Sequence, residues 1–200
     1  MEIGNKAREK KNKAHEKAAK AVKSIVITLA AFVAAFLVMK FVMAQTIVNG
    51  NSMYPTLENA DALLILKVPM KYKRFDIIVF NSSFSDTEML IKRVIGLPGE
   101  NVKIDPAGKV YINDEELTSD IYGAATIVDS GLAASEDGGV DLKEDEYFVM
   151  GDNRNRSEDS RFGPVGSIKA KDIEGKVLIR LTPIRKFGDV DLYRERALAY

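Results

Sequence analysis

The chain has 200 residues with 29 basic and 29 acidic side chains, one histidine and no cysteine. Without cysteine it can form no disulfide, thiol nucleophile or thiolate metal site. The one histidine, His15, lies in a polar N-terminal segment, which argues against a Ser-His-Asp triad and against a histidine zinc site. Any catalysis must therefore use hydroxyl groups, carboxylates, lysine or arginine.

The zero net charge hides a basic N-terminal segment. Residues 1–23 carry eight Lys and Arg against three Glu, a net charge of +5 that the rest of the chain balances. Several Glu residues precede a Lys by four positions, as in Glu9/Lys13 and Glu16/Lys20, an order that stabilises helices. We expect a helical, solvated segment beside a membrane and no nucleic-acid partner, although a basic run by itself fits both.

An apolar stretch follows the basic segment. Residues 24–39 are uncharged, and after Lys40 the apolar run continues to Ala44. The twenty residues from Ile25 to Ala44 would form a helix of about 30 Å, which matches the hydrocarbon thickness of a bilayer. We therefore predict a transmembrane anchor over 24–44. Since basic residues precede it, the N-terminus should be cytoplasmic and residues 45–200 should lie outside the cytoplasm.

The same stretch could instead be a cleavable secretory signal, cut after Ala44. The long basic segment, and Lys40 between the apolar core and that cut, favour an uncleaved anchor.

Beyond the anchor, short stretches rich in Val, Ile, Tyr and Phe alternate with turn residues. Strands are predicted at 62–68, 75–80, 88–95, 102–104, 109–112, 147–150 and 175–181. Their close spacing without helical periods predicts a mainly β fold, an antiparallel sheet or barrel-like domain over 45–188. Residues 118–144 should form an irregular insertion, and 189–200 a charged C-terminal tail.

A first candidate for chemistry is Ser52, in the segment Asn49–Leu57 directly after the anchor. Gly50 and Asn51 permit a sharp turn and Pro55 stiffens its exit. Ser52 would thus be held on an exposed bend whose main-chain N–H groups can converge as an oxyanion hole. A serine in such a turn is more often a turn former, so this segment alone leaves both interpretations open.

A second candidate is Lys92, in the predicted strand 88–95. Side chains alternate along a strand, so Lys92 shares a face with Leu90 and Val94 while Arg93 points the other way. Lys92 is either an edge residue that hinders aggregation or a buried amine with a lowered pKa. A neutral amine could accept a proton from a serine hydroxyl, the role that histidine has in other enzymes.

The third segment, Gly151–Gly163, follows the strand at 147–150 and is dense in Asp, Arg and Ser. It is either a polar surface loop whose charges pair with one another or a network that braces an active site.

Together, in this order and behind an N-terminal anchor, the three segments resemble the type I signal peptidases, serine/lysine enzymes that remove signal peptides from exported proteins. The family's Ser-Met-x-Pro-Thr-Leu corresponds to Ser52–Leu57, and its Lys-Arg-x-x-Gly-x-Pro-Gly to Lys92–Gly99. Its Gly-Asp-Asn-Arg…Ser-x-Asp-Ser-Arg corresponds to Gly151–Arg161. The resemblance spans most of residues 45–185.

The resemblance implies that Ser52 is the nucleophile and Lys92 the general base of a dyad that works through an acyl-enzyme. It also implies a supporting network, in which one serine orients the amine and two acid–arginine pairs brace the site: Ser157, Asp159 with Arg161, and Asp152 with Arg93. The oxyanion hole is assigned to Ser52 and Gly50. Many Gram-negative members carry a serine at the position of Gly50. This chain has a glycine there, as Gram-positive members do, so a main-chain N–H or a water molecule would replace the serine hydroxyl.

The implied substrates are signal peptides of exported preproteins, which end in small residues at the first and third positions before the cut. Shallow apolar pockets are therefore expected beside Ser52. The candidate lining residues, each of which could equally belong to the core, are Val48, Met53, Leu57, Leu90 and Ile91. The extended substrate would add to an exposed strand edge near the outer face of the lipid bilayer. No metal or cofactor is required.

Two other functions fit part of the pattern. A LexA-like self-cleaving Ser/Lys protease shares the dyad, but such proteins usually carry a DNA-binding head, and the anchor argues against one. The other is an inactive, membrane-tethered β domain that binds exported peptides without cutting them.

Overall fold

A computed structural model describes residues 2–82, 85–118, 120, 122–123, 126–134, 138–188 and 190, and for 2–14 and 85–88 the description covers the backbone only. The chain divides into two compact units, Met1–Val42 and Met43–Tyr200.

The first unit is one helix, α1, at Glu2–Val42, which runs through both the basic segment and the apolar stretch. Its part from His15 to Val42 is long and apolar enough to cross a membrane by length and composition. Large apolar side chains on it, such as Phe32, Phe36 and Phe41, are exposed. A helix that is apolar around its circumference needs an apolar surrounding, which fits a membrane anchor.

The described residues of the second unit form eleven strands. They are β1 Met43–Ile47, β2 Ala62–Leu66, β3 Ile77–Ser82, β4 Ser85–Gly96, β5 Asn101–Ile104, β6 Val110–Ile112, β7 Glu115–Glu116, β8 Val140–Asp141, β9 Glu146–Met150, β10 Ile168–Lys169 and β11 Ile173–Thr182. Seven make a sheet in the order β1-β2-β11-β3-β4-β9-β10, and four make a second sheet in the order β7-β6-β5-β8. Neighbouring strands are antiparallel throughout both sheets. The predicted fold class, mainly β and antiparallel behind one N-terminal apolar helix, is confirmed.

The alternation of side chains along β3 and β4 divides the core. Ile77, Val79 and Ile91 belong to a cluster that also contains Met53 and Leu57 of the segment after β1. The residues between them, Ile78, Phe80 and Val94, belong to a second cluster with β9 and β10. A third cluster joins the second sheet to β9. The central strands are therefore held from both faces, which makes them a rigid support for functional side chains.

The strand β1 was not predicted. The anchor was expected to continue to residue 44, whereas α1 ends at Val42 and Met43 already pairs with Leu66 of β2. Hydropathy does not mark this boundary because the apolar run passes through it without interruption.

The predicted insertion at 118–144 contains, in its described part, a short 3₁₀ turn at Gly131–Ala133 and the two-residue strand β8. β8 pairs with β5 and so extends the second sheet. The predicted tail at 189–200 lies outside the described residues except for Val190, which packs against the cluster beneath the Ser52 segment.

Candidate active site

The segment between β1 and β2 carries Ser52 on a braced bend. The Val48 N–H donates to the Asp61 carbonyl at 2.9 Å and closes the base of the bend. Met53 and Leu57 are 1% and 0% exposed and fix the bend to the core, while Ser52 itself stays partly accessible. Burial of two large apolar side chains so close to a serine gives it a defined position.

Gly50 takes a φ of +93°, in the left-handed region that favours glycine. Its N–H donates to Asn59 Oδ1 at 2.9 Å, so this main-chain donor is already engaged. The Ser52 N–H, by contrast, has no acceptor among the described residues. Two groups were expected to form an oxyanion hole. The Ser52 N–H is available for this role, whereas the Gly50 N–H is bound by Asn59, a residue that the sequence did not indicate.

Lys92 lies in the middle of β4, where it pairs with Ile78 of β3. Its Nζ is 2.9 Å from Ser52 Oγ and donates to the Ile91 carbonyl at 3.1 Å. The residue is 3% exposed. Of the two interpretations left open by the sequence, the structure agrees with the buried amine, because the Lys92 side chain does not extend into solvent.

Burial lowers the pKa of Lys92 from 10.5 to about 8, and the negative charges of Asp159 and Glu158 oppose this lowering. A lysine with its ordinary pKa would be almost wholly protonated at neutral pH. The lowered pKa leaves about a tenth of the molecules with a neutral amine at pH 7, roughly 300-fold more than an unperturbed lysine would provide.

Arg93, the neighbour of Lys92, makes a separate ion pair. Its Nε and Nη2 donate to the two carboxylate oxygens of Asp152 at 2.8 and 2.7 Å, and both residues are at most 1% exposed. Its guanidinium also stacks 3.6 Å above the ring centre of Tyr122. Thr56 Oγ1 donates to Asp152 as well, so this carboxylate connects the Ser52 segment, β4 and the segment after β9.

Asp159 and Arg161 form a second buried pair. Arg161 Nε donates to Asp159 Oδ1 at 2.8 Å, and the Gly151 N–H donates to Asp159 Oδ2 at 3.0 Å. Removing one member of such a pair would leave an uncompensated charge in the interior, which typically costs about 3–5 kcal/mol. The pairing expected for these residues is present, and it folds the segment 151–161 back on itself.

Ser157 lies next to these groups but makes no bond to Lys92. Its Oγ is buried and has no hydrogen-bond partner within the described ranges. The space that it occupies exists because residue 151 is glycine: a Cβ there would lie 2.3 Å from Ser157 Oγ and 2.4 Å from the Ser52 carbonyl oxygen. An orienting role for Ser157 stays a prediction.

Asn153 holds the Ser52 segment directly, and sequence reasoning did not single it out. Its N–H donates to the Ser52 carbonyl at 3.0 Å, and its Nδ2 donates to the Asn51 carbonyl at 3.1 Å. Thr56 was missed likewise. Both residues stand inside the family motifs, so the signal was present in the sequence.

A pocket of about 250 Å³ opens at Ser52 and Lys92, lined by residues 48–53, 89–92, Arg156 and Glu158. Of the five expected lining residues, Val48, Met53, Leu90 and Ile91 line it. Leu57 does not: its side chain is fully buried in the cluster beneath the segment, so we assign it to packing.

The pocket adjoins a half-open strand. Arg93, Val94 and Gly96 of β4 pair with β9, whereas Leu90–Lys92 pair with β3 alone among the described strands. Main-chain groups on the other side of Leu90–Lys92 can therefore receive an extended peptide.

The site thus brings together a hydroxyl, an amine of lowered pKa and an unoccupied main-chain donor, which suits nucleophilic acyl transfer. Within the described ranges there is no group of three or more His, Asp or Glu that could hold a metal ion.

Comparisons with known proteins identify the family of the chain. The family described as "Signal peptidase, peptidase S26" matches residues 20–182. A signal peptidase I of Bacillus amyloliquefaciens is 38% identical over 160 residues, which cover 76% of this chain and 82% of that protein. Signal peptidase I S of Bacillus subtilis (strain 168) is 37% identical over 160 residues, 76% of this chain and 83% of its own length.

A crystal structure of a signal peptidase I from Enterococcus faecalis V583 is 33% identical and covers 55% of this chain and 98% of its own, with a TM-score of 0.43. Because the family match extends over far more than half of the residues, and two relatives exceed 30% identity over most of their length, the chain belongs to the signal peptidase family of serine endopeptidases, peptidase S26.

Proposed function

We propose that the protein is a membrane-anchored endopeptidase that removes N-terminal signal peptides from exported preproteins with a Ser52/Lys92 dyad. The observation that carries this proposal is the 2.9 Å separation of Lys92 Nζ and Ser52 Oγ in a buried site where the amine has a lowered pKa.

In the first half of the reaction, Ser52 Oγ attacks the carbonyl carbon of the scissile bond while the neutral Lys92 amine accepts the hydroxyl proton. The negative charge that develops on the carbonyl oxygen accepts a hydrogen bond from the Ser52 N–H. Lys92 then donates the proton to the leaving amine, the C–N bond breaks, and the signal peptide stays bound to Ser52 as an ester.

In the second half, the amine of Lys92 is neutral again and takes a proton from a water molecule, which attacks the ester carbonyl. Collapse of this second tetrahedral intermediate returns the proton from Lys92 to Ser52 Oγ and releases the signal peptide with a new carboxyl group. One group therefore serves alternately as base and acid, and the reaction needs no metal or cofactor.

The shape of the pocket supports a preference for small residues before the cut. An extended peptide beside Leu90–Lys92 would direct its first and third residues before the cut to the same side, because side chains alternate. Val48, Met53, Leu90 and Ile91 contribute apolar side chains to the lining of the pocket.

The bilayer is the proposed surrounding of α1. Its basic N-terminal part supports a cytoplasmic N-terminus by the positive-inside rule, which places the peptidase unit outside the cytoplasm. Preproteins emerge on that side with their signal peptides still in the membrane, so an anchored enzyme would meet the scissile bond where it becomes accessible.

The test is cleavage of a preprotein by the purified full-length chain in detergent micelles. We expect Ser52→Ala and Lys92→Ala each to lower kcat/KM by roughly a thousandfold or more. Lys171→Ala, at an exposed lysine outside the pocket, is the matched control and should cleave at the wild-type rate. If either dyad variant stays within a few-fold of wild type, the proposed dyad is wrong.

A further inference from the structure

Two charged side chains line the active-site pocket together with Ser52 and Lys92: Arg156 and Glu158. Both are exposed, and neither side chain has a hydrogen-bond or ion-pair partner among the described residues. Most other charged residues in this segment are paired and buried, as Asp152, Asp159 and Arg161 are. The pocket wall therefore presents charges that are available to a bound substrate.

The backbone separates these two residues. Arg156 ends a 3₁₀ turn at Arg154–Arg156, and Ser157, which follows it, is extended with φ −133° and ψ 124° and has a buried side chain. Across this extended residue, the Cα atoms of Arg156 and Glu158 lie about 7 Å apart. Their side chains can thus contact different residues of an extended peptide.

Glu158 lines the same pocket as Ser52 and Lys92. Its negative charge acts on Lys92, as does that of Asp159, whose carboxylate is already bound by Arg161. The Glu158 carboxylate is exposed and, among the described residues, forms no salt bridge or hydrogen bond of its own. It is therefore a negative charge in the pocket that a bound substrate can contact.

The proposed mechanism indicates which part of the substrate lies beside Lys92. Lys92 must donate a proton to the leaving amine, so the first residue of the released mature chain has to lie beside Lys92 during the reaction. We propose that the Glu158 carboxylate interacts electrostatically with the side chain of this residue. The enzyme would then favour preproteins whose mature chain begins with a basic residue and disfavour those that begin with an acidic one. The inference rests on the proposed function.

The experiment uses three preproteins that differ only in the first residue after the cut, which is Lys, Gln or Glu. The wild-type full-length chain is assayed in nonionic detergent at about 50 mM salt. We expect kcat/KM to fall in that order, and the ratio of kcat/KM for the Lys substrate to that for the Glu substrate to be roughly three to ten, in keeping with the strength of partly solvated ion pairs. Glu158→Gln should bring the ratio within about twofold of one, and Glu158→Lys should invert it. Salt at about 1 M should weaken the wild-type preference, since it screens charges beyond roughly 3 Å.

Ratios within one enzyme remove a confounding effect, because any change that Glu158→Gln causes in the pKa of Lys92 acts on all three substrates equally. The matched control is Glu115→Gln, at an exposed glutamate of β7 that does not line the pocket, which should keep the wild-type ratio. Two results overturn the inference while leaving the peptidase activity in place. One is a wild-type ratio near one, and the other is a ratio that persists in Glu158→Gln but is lost in Arg156→Gln. If wild type cleaves none of the three, the proposed function fails and the inference with it.

Discussion

The main-chain N–H of Asn153 donates a hydrogen bond to the carbonyl of Ser52 at 3.0 Å, while the Asn153 side chain donates to the Asn51 carbonyl at 3.1 Å. The proposed nucleophile is thus held by a residue about a hundred positions further along the chain. Neither bond involves the Ser52 hydroxyl, whose Oγ contacts Lys92 Nζ.

Asn153→Ala removes the side-chain bond but keeps the main-chain one. We expect kcat to fall roughly three- to tenfold with little change in KM, since one hydrogen bond contributes about 0.5–1.5 kcal/mol to the position of Ser52. Asn155→Ala is the control: its Nδ2 donates to the Thr126 carbonyl, away from Ser52, so kcat should be unchanged. Equal effects of the two substitutions on kcat would show that Asn153 has no special part in positioning.

Gly151→Ala tests the close approach of two segments at the site. The new Cβ would lie 2.4 Å from the Ser52 carbonyl oxygen, so the Ser52 segment must move. We expect kcat to fall at least about tenfold and the free energy of unfolding to fall by about 1–3 kcal/mol. Gly163→Ala has open space around its Cβ and should change neither quantity. If Gly151→Ala keeps the kcat of the wild type, the Ser52 segment can move away from residue 151 without changing the position of the Ser52 hydroxyl.

The pH dependence of activity follows from the buried amine. In the proposed mechanism Lys92 has to be neutral to accept the Ser52 proton, so the active fraction should rise with pH through the Lys92 pKa of about 8. We expect kcat/KM to increase about tenfold from pH 7 to a plateau above pH 9. A profile that is flat over this range would contradict a lysine base. Measurement of single-turnover rates checks that chemistry, rather than product release, is being followed.

The same burial has a stability effect of definite sign. Because the pKa of Lys92 is lower in the folded than in the unfolded state, the unfolded chain binds the proton more tightly, and the penalty is fully present below pH 8 and disappears as pH rises to 10.5. Relative to wild type, Lys92→Met should therefore be most favourable below pH 8. That advantage should decline by about 3 kcal/mol between pH 8 and 10.5.

Urea unfolding of both proteins in the same detergent measures this difference, and groups that titrate equally in both proteins cancel. A difference between wild type and Lys92→Met that does not vary with pH would mean that the amine is solvated in the folded protein.

The orientation of the anchor can be tested because the chain has no cysteine of its own. In intact cells, Val128→Cys, at a site 83% exposed, should react with a membrane-impermeant maleimide, whereas Lys17→Cys in α1 should react only after the cells are opened. The reverse pattern would contradict a cytoplasmic N-terminus. Cleavage activity of each labelled variant is the control for correct folding.

Much of the sheet could be predicted from the sequence because its central strands have strong β formers between clear turns. The alternation of side chains along 88–95 correctly predicted that Lys92 and Arg93 point in opposite directions. In the structure Lys92 contacts Ser52, whereas Arg93 contacts Asp152. The strand β1 escaped prediction because its first two residues, Met43 and Ala44, prolong the apolar run of α1, so only the pairing with β2 shows where the strand begins.

The motifs indicated which segments form the site but not how their atoms meet. The occupation of the Gly50 N–H by Asn59 and the bond from Thr56 to Asp152 depend on the three-dimensional path of the chain. Leu57 shows the same limit: a large apolar residue five positions after Ser52 fits a pocket or a core equally well in sequence, and only its complete burial decides for the core.

The pairing of Lys92 with Ile78 and of Arg93 with Ile77 has a consequence for how this enzyme can vary. Successive residues of a strand point in opposite directions, so a shift of β4 by one position against β3 would exchange the amine and the guanidinium. The proposed proton acceptor would then face Asp152, and a permanently charged group would face the serine. A one-residue insertion or deletion within β4 that neither a bulge nor the preceding turn absorbs would therefore disrupt the proposed dyad and the Arg93–Asp152 ion pair together.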